Sequence, residues 1–452
     1  MAVPVRNVSA PGYGDATIVK TDTRAMTVAT ALFFMVGFLT CLNDVISPHL
    51  KSIFGLNYTE TQYVPFFFFS SYFVFSYPGG ALVDKFGYKK AMVIGLFIMA
   101  CGALCFLPAA HFASFRIFLC ADVILAAGMT VVQVAVNPYV TIIGPSTTAA
   151  SRLNLAQAFN SVGTFIAPFV GSYLILRTAP EAVTPERLRS MTDVARQAYR
   201  VAQAATVQMP YIAIAVALAL LALALAAIKL KSTSTTAEMT QDFRPGAFAE
   251  ALSPQTSIWQ KKWALLGALG IFTYVGAEVS IGNLLINYMG LPEIAGLREA
   301  VAGNFLMCYW GGAMVGRFIG SAVLQKVRTG VVLGLCAIGA GSLIVISILT
   351  HGHMAMVAML AVGLCNSIMF PSIFTLGVQD LGQLTSKGSS LLIAAIVGGA
   401  LIPLSQGKLA DHVGLHASFI IPAICYIYIA YFGFAALRRP MAHNMLVPVE
   451  PV

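Results

Sequence analysis

The stretch Gly80-Ala81-Leu82-Val83-Asp84-Lys85-Phe86-Gly87-Tyr88-Lys89-Lys90 is a charged segment between two long apolar runs. Asp84 can face the positive N-terminal end of a neighbouring helix, while the basic cluster holds the segment on the cytoplasmic side of a membrane. Gly80 and Gly87 allow close packing and a tight turn. The stretch therefore predicts a cytoplasmic turn between two membrane-spanning helices.

The apolar character of the flanking runs extends over the whole chain. Of its 452 residues, 58% are hydrophobic and only 10% are charged, whereas a soluble domain carries roughly 25% charged residues. About 20 apolar residues cross a bilayer as a helix, and a β-barrel would show shorter strands of alternating polarity. The sequence therefore predicts an all-α membrane protein with twelve transmembrane helices. We number the predicted spans 1–12 in chain order: 26–54, 61–83, 89–110, 114–143, 153–177, 208–230, 259–290, 300–325, 330–350, 353–377, 387–410 and 415–437.

The net charge of +9 is explained by membrane topology, and we expect no nucleic-acid partner. With both termini in the cytoplasm, about two thirds of the Lys and Arg fall on the cytoplasmic side, as the positive-inside rule requires. The exception is an outer loop rich in arginine, between residues 177 and 200. The eight cysteines lie inside predicted spans and form no CxxC pair, so we expect neither a metal site, a disulfide framework nor a cofactor.

A polar segment divides the spans into two groups of six. We expect a cytoplasmic tail at 1–24, a bundle at 25–230, a cytoplasmic linker at 231–257, a second bundle at 258–438 and a tail at 439–452. The bundles repeat weakly: Asn137–Gly144 matches Phe370–Gly377, and Gly163…Pro168…Gly171 matches Gly398…Pro403…Gly407. Chance agreement among Gly and Pro is the alternative. Paired six-helix bundles around a central pathway are typical of secondary transporters.

Three acidic residues lie within predicted spans. Asp44 in span 1 follows Asn43 in an otherwise apolar run, and such a carboxylate marks a route for ions or substrate unless it pairs structurally with Asn43 or a helix end. Glu278 in span 7 could contact a cation or solute, or form a polar bond between helices. Asp122 in span 4 precedes Gln133 by eleven residues and shares its helix face, but its place near the outer end of the span favours exposure near the outer headgroups.

The 80–90 segment resembles the signature of the major facilitator superfamily, G-x-L-x-D-x-x-G-x-[RK]-[RK]. The resemblance implies that this segment is a latch that stabilises one conformation of a transporter. The latch residues are Gly80, Asp84, Gly87, Lys89 and Lys90. Other stretches are similar to the fucose–proton symporter family within that superfamily. They are Leu42–Leu50, Gln133–Tyr139, Arg152–Gly163, Tyr274–Glu278 and Met369–Phe374. The resemblance implies two pseudo-symmetric six-helix bundles, in a bacterial inner membrane, that import a sugar together with a cation.

One residue departs from the fucose-type pattern and indicates which branch of the family this chain resembles. Fucose-type members use a first-span aspartate, matched by Asp44, and a fourth-span glutamate, where this chain has Gln133. Glutamine can bind a sugar hydroxyl but cannot carry a proton. The glucose/galactose branch is therefore favoured over fucose, and the choice between proton and sodium stays open. Asp122 could replace the missing glutamate.

Sugar recognition would need amides that both donate and accept hydrogen bonds, together with an aromatic face. For each amide candidate, the alternative is a hydrogen bond between helices, and for the tryptophan it is core packing. The candidates are Asn43, Gln133, Asn137, Gln157, Asn160, Asn283, Asn287, Trp310 and Asn366.

The sequence thus predicts a cation-coupled symporter, with a proton as the expected cation, that imports a hexose such as glucose or galactose by alternating access. Alternatives are a fucose or N-acetylglucosamine carrier, sodium coupling, or a sugar sensor that does not transport. An enzyme is not expected because the HExxH, P-loop and GxSxG motifs are missing from the sequence. The expected partners are a small sugar and the lipid bilayer, with the protein as a monomer.

Overall fold

The computed structural model describes residues 21–54, 63–171, 208–228 and 257–439, with isolated residues between 191 and 202. Within these ranges, the side chains of residues 41–54, 168–171 and 299–300 are not described. The predicted linker, apart from Ser257, lies outside the described residues. So do most of the arginine-rich loop, most of the first tail and nearly all of the last tail.

Every predicted span coincides with helix in the described part of the chain. In the N-terminal bundle the helices are Thr23–Phe54 (span 1), Tyr63–His111 (spans 2 and 3), Phe115–Ile142 (span 4), Ala149–Gly171 (span 5) and Gln208–Ala227 (span 6). In the C-terminal bundle they are Lys262–Gly290 (span 7), Glu299–Val323 (span 8), Thr329–Leu349 (span 9), Gly352–Asn366 and Met369–Val378 (span 10), Thr385–Ala394 and Gly398–Val413 (span 11), and Leu415–Ser418 and Ile420–Ala436 (span 12).

Spans 5 and 8 are the two least suited to lipid. Among the described residues, nine helices are long and apolar enough to cross a membrane, and the helices of spans 5 and 8 are not among them. Span 5 carries Arg152, Asn154, Gln157 and Asn160, and span 8 carries Arg317. These two helices pack against each other across the boundary between the bundles. Their polar residues are thereby removed from the lipid.

The predicted turn between spans 2 and 3 is a single-residue break. Helical structure runs from Tyr63 to His111, and only Gly87 departs from it, with φ 77° and ψ 166°. That combination belongs to glycine because a Cβ would collide with the local backbone. The tight turn expected at Gly87 is present, and it reverses the chain without a loop.

The sequence repeat corresponds to equivalent packing in the two bundles. Span 5 packs on span 1 as span 11 packs on span 7, and span 6 packs on span 3 as span 12 packs on span 9. A Cβ at Gly163 would collide with the carbonyl oxygen of Phe34, and one at Gly398 would collide with that of Phe272. The paired glycines thus make the same close helix contact in each half, which argues against chance agreement.

Candidate functional site between the two bundles

The first seam between the bundles joins span 11 to spans 2 and 4. Ser386 donates through Oγ to the carbonyl oxygen of Gly80, 3.1 Å away, and Ser389 donates to that of Val134 at 2.8 Å. Both serines are buried. The seam lies near the end of the molecule that carries the 80–90 segment, which we call the loop end.

The second seam joins spans 5 and 8, also beginning at the loop end. The Ser151 hydroxyl donates to the carbonyl oxygen of Ser321 at 2.7 Å, and the Ser321 hydroxyl returns a bond of 3.1 Å to the carbonyl oxygen of Ser151. Deeper in, Asn154 Nδ2 donates to the carbonyl oxygen of Arg317 at 2.6 Å, and Arg317 Nη1 donates to Ser161 Oγ. Within the described residues, the hydrogen bonds between the bundles run from the loop end to mid-span. These bonds therefore hold the two bundles together between the loop end and mid-span.

Two of the signature residues, Asp84 and Gly87, line a cavity of about 760 Å³ between the bundles at the loop end. Asp84 is exposed and lines it together with Thr385 and Ser386, which begin the helix of span 11. That Asp84 faces the N-terminus of this helix stays a prediction. Lys89 instead binds the end of span 6, where its Nζ donates to the carbonyl oxygen of Ala226 at 2.8 Å. Lys90 is exposed.

The predicted amides of the N-terminal bundle divide into half-buried and packed side chains. Gln133 is half-buried and donates through Nε2 to the Tyr72 hydroxyl at 3.0 Å. Asn137 is fully buried and donates to the carbonyl oxygen of Gln133. Asn160 is half-buried and binds the carbonyl oxygen of Phe33 in span 1. Gln157 is 8% exposed, and its backbone carbonyl oxygen accepts a hydrogen bond from the Ser161 hydroxyl.

The predicted residues of the C-terminal bundle are not brought together. Asn366 is fully buried: its Nδ2 donates to the Tyr309 hydroxyl at 2.8 Å, while its Oδ1 and carbonyl oxygen accept from Tyr426 and Tyr274. Asn283 and Asn287 are exposed on span 7. The half-buried Trp310 of span 8 lies against Gly282 of span 7. Asn366 thus has the contacts of a packing residue, the alternative stated for it from the sequence.

The acidic residues occupy different depths. Asp44 and Asn43 lie in the helix Thr23–Phe54, but their side chains are outside the described residues. Asp122 is fully buried, within electrostatic reach of the Tyr72 and Tyr211 hydroxyls. The exposed position considered for it is therefore wrong, because spans 2 and 3 pack on span 4 and Tyr211 of span 6 lies near Asp122.

Two arginines that make structural contacts were not among the candidates predicted from the sequence. Arg152 is buried and donates to the carbonyl oxygens of Val140, Thr141 and Pro145, which caps the C-terminal end of span 4. Arg317 is the other, with its bond to Ser161 across the boundary and a bond to the carbonyl oxygen of Ser367. The signal for Arg317 was a basic residue in the middle of an apolar span.

Comparison with known proteins identifies clear relatives over nearly the whole chain. The protein-family model described as Major Facilitator Superfamily matches residues 28–394. A glucose/galactose transporter of Brucella abortus is 45% identical over 432 residues, covering 96% of this chain and 98% of the relative. An L-fucose-proton symporter of Escherichia coli is 34% identical, covering 92% of this chain and 93% of the relative.

A solved structure agrees with the sequence relatives. The crystal structure of FucP, a transporter of the Major Facilitator Superfamily, in the outward conformation matches with a TM-score of 0.80 at 32% identity. The match covers 91% of this chain and 98% of that one. The fold and the arrangement of helices are therefore similar across the whole described molecule.

Proposed function

The chain belongs to the major facilitator superfamily, and we propose that it imports a hexose such as glucose or galactose together with a proton by alternating access. It is a multi-pass membrane protein of the sugar-transporting group in that superfamily, and not an enzyme. The identity of the sugar and of the cation, the inner-membrane location with both termini in the cytoplasm, and the monomeric state are parts of the proposal.

The observation that carries the proposal is the closure of the bundles on one side. Both seams begin at the loop end and extend only to mid-span among the described residues. With the loop end in the cytoplasm, this conformation is the outward-facing one of an alternating-access cycle. A carrier must reach such a state, because a pathway closed on one side at a time prevents free leakage.

The hexose proposal depends on residues of spans 4 and 5. Gln133, Gln157 and Asn160 lie on spans 4 and 5, both of which contribute to the seams, and Gln133 and Asn160 are half-buried. Amides match sugar hydroxyls because each both donates and accepts. Gln133 also replaces a carboxylate that the family resemblance associates with fucose, and identity is higher to the glucose/galactose transporter than to the fucose symporter.

Proton coupling is assigned to Asp44, with Asp122 as a second carboxylate within the bundle. The empty carrier opens outward, binds cation and sugar, and then rocks to open inward. A proton on Asp44 lowers the cost of enclosing that side chain in a closed pathway. Coupling follows because the bound proton changes the relative free energies of the two conformations.

The decisive experiment is uptake of labelled glucose and galactose into proteoliposomes under an imposed proton gradient without sodium. We expect saturable accumulation that an uncoupler abolishes, and its loss in Asp44→Asn with exchange of sugar retained. Uptake driven only by a sodium gradient would overturn proton coupling. Uptake of only fucose or N-acetylglucosamine would overturn the substrate, and binding without saturable uptake would identify a sensor.

A further inference from the structure

Arg317, at mid-span in span 8, is bonded to both bundles at once. Its guanidinium donates through Nη1 to Ser161 of span 5 and through Nε to the carbonyl oxygen of Ser367 in span 10, 3.2 Å away. Its own carbonyl oxygen accepts from Asn154 Nδ2 at 2.6 Å. Separation of spans 5 and 8 would therefore break bonds to both the side chain and the backbone of Arg317.

Ser161 is oriented as an acceptor for that guanidinium. Its hydroxyl donates to the carbonyl oxygen of Gln157, one turn earlier on the same helix, at 3.3 Å. Its lone pairs are thereby left for Arg317. Ser161 is buried, so this charge-assisted bond is shielded from water. When the helices separate, no water is at hand to replace the bond to Arg317.

Glu278 of span 7 supplies the opposite charge. It lies one helical turn beyond Tyr274, whose hydroxyl donates to the carbonyl oxygen of Asn366, the residue next to the Ser367 that Arg317 binds. Glu278 is thereby within electrostatic reach of Arg317. The two charged groups are nevertheless farther apart than the 4.0 Å of an ion pair. In this conformation Arg317 therefore points its donors at Ser161 and Ser367, with Glu278 as a nearby partner that it does not contact.

We propose that Arg317 is a positioning residue that exchanges partners during transport. Its guanidinium binds Ser161 while the loop end is closed and moves to Glu278 when the loop end opens. An arginine without a partner is costly inside a membrane, so the exchange lets the bundles separate without stranding the charge. Glu278 accordingly remains the counter-ion of Arg317, and cation coupling falls to the other carboxylates. The inference rests on the proposed alternating access but is independent of which sugar is carried.

The test follows opening of the loop end with a cysteine at Ser389, which is fully buried in the first seam. A membrane-impermeant maleimide is applied to each face of sealed vesicles in turn, and labelling of the native cysteines is subtracted with the protein that lacks Ser389→Cys. Ser161→Ala and Arg317→Gln should each raise labelling from the loop end about tenfold, because each removes the same charge-assisted bond. Labelling of the double variant should be little higher than labelling of either single variant, because both substitutions remove the same bond.

Glu278→Gln gives the distinguishing result. It should reduce labelling several-fold below the reporter protein, because the open state loses the partner that receives Arg317. A merely structural charge pair would instead loosen the bundle and raise labelling. Arg317→Lys, which keeps the charge but loses the fork of donors, should be intermediate.

Thr164→Ala is the matched control. Thr164 lies one turn beyond Ser161, but its hydroxyl bonds to carbonyl oxygens of Gly37 and Asn160 within one bundle, so labelling should not change. Thermal unfolding of each purified variant distinguishes a misfolded protein from a folded one whose loop end has opened. If Arg317→Gln does not fold, the two single variants Ser161→Ala and Glu278→Gln still test the proposal. Unchanged labelling in Ser161→Ala, or increased labelling in Glu278→Gln, would overturn the proposal. Labelling needs no substrate, so a wrong sugar assignment cannot imitate these outcomes.

Discussion

Asn366 shows how burial separates two roles that one residue type can serve. An amide in a membrane span is suited both to a sugar and to a neighbouring helix, and the side chain alone does not discriminate. In the folded molecule its amide nitrogen, its amide oxygen and its carbonyl oxygen are occupied by tyrosines from spans 8, 12 and 7. The residue joins four helices of the C-terminal bundle.

Asn366→Ala should therefore destabilise the protein while leaving sugar affinity intact in the folded fraction. The substitution leaves the Tyr309 and Tyr426 hydroxyls without their partner in a buried place, at a cost of about 2–4 kcal/mol. Thermal unfolding in detergent measures the loss, and equilibrium binding of labelled sugar measures the affinity. Asn283→Ala, which removes an exposed amide from span 7, should change stability by less than about 0.5 kcal/mol. Normal stability with abolished sugar binding in Asn366→Ala would show a substrate contact instead.

Arg317 illustrates the same ambiguity for charge. A basic residue inside an apolar run signals function, but the sequence does not say whether its partner is a sugar, a lipid headgroup or another side chain. The answer comes from span 5, more than 150 residues earlier in the chain, where Ser161 supplies the acceptor.

At the scale of single elements, Gly87 allows two long helices to follow each other without a loop. The φ of 77° at this residue reverses the chain direction between spans 2 and 3. A Cβ at Gly87 would meet no other group within 4 Å, so the requirement for glycine is conformational and not one of space.

Gly87→Ala should cost about 1–3 kcal/mol of stability, because alanine is strained at this φ and ψ. Thermal unfolding of the purified protein measures the effect. Gly311→Ala is the control: Gly311 is helical within span 8 and also has no neighbour within 4 Å of an added Cβ, so alanine should be neutral or slightly stabilising there. Equal unfolding temperatures for the two variants would contradict the conformational explanation.

At the scale of the whole molecule, close approach of the bundles depends on Gly80. An added Cβ would collide with Ser390 Oγ across the first seam, so alanine at this position would push the two bundles apart. The sequence expectation that Gly80 permits close packing is met here by packing between bundles.

Gly80→Ala should weaken the closed loop end and reduce active sugar accumulation several-fold, with protein stability nearly unchanged. Ser390→Ala in the same protein removes the colliding hydroxyl and should restore much of the accumulation. Initial uptake and final accumulation in proteoliposomes measure both variants, with Ser390→Ala alone as the matched control. If the double variant remained as impaired as Gly80→Ala, the contact between bundles would not be the cause.

The sequence by itself determined the helical membrane fold, the positions of helices along the described residues and the internal repeat. These features depend on apolar length and on local backbone chemistry, which can be read along the chain. It also indicated the position of the Gly87 turn, the signature at the loop end and the carboxylate at Asp44, because a charge or a glycine in such a segment is informative without knowledge of its neighbours.

Only the tertiary structure decided which polar residues face one another. Asp122 is buried because spans 2 and 3 pack on span 4, and the polar atoms of Asn366 are occupied because three tyrosines from other helices converge on it. The bond between Arg317 and Ser161 likewise depends on how two bundles meet. Helical periodicity assigns a side chain to a face of its own helix, but the partner of that face is set by packing between elements distant in sequence, for which one helix carries no signal.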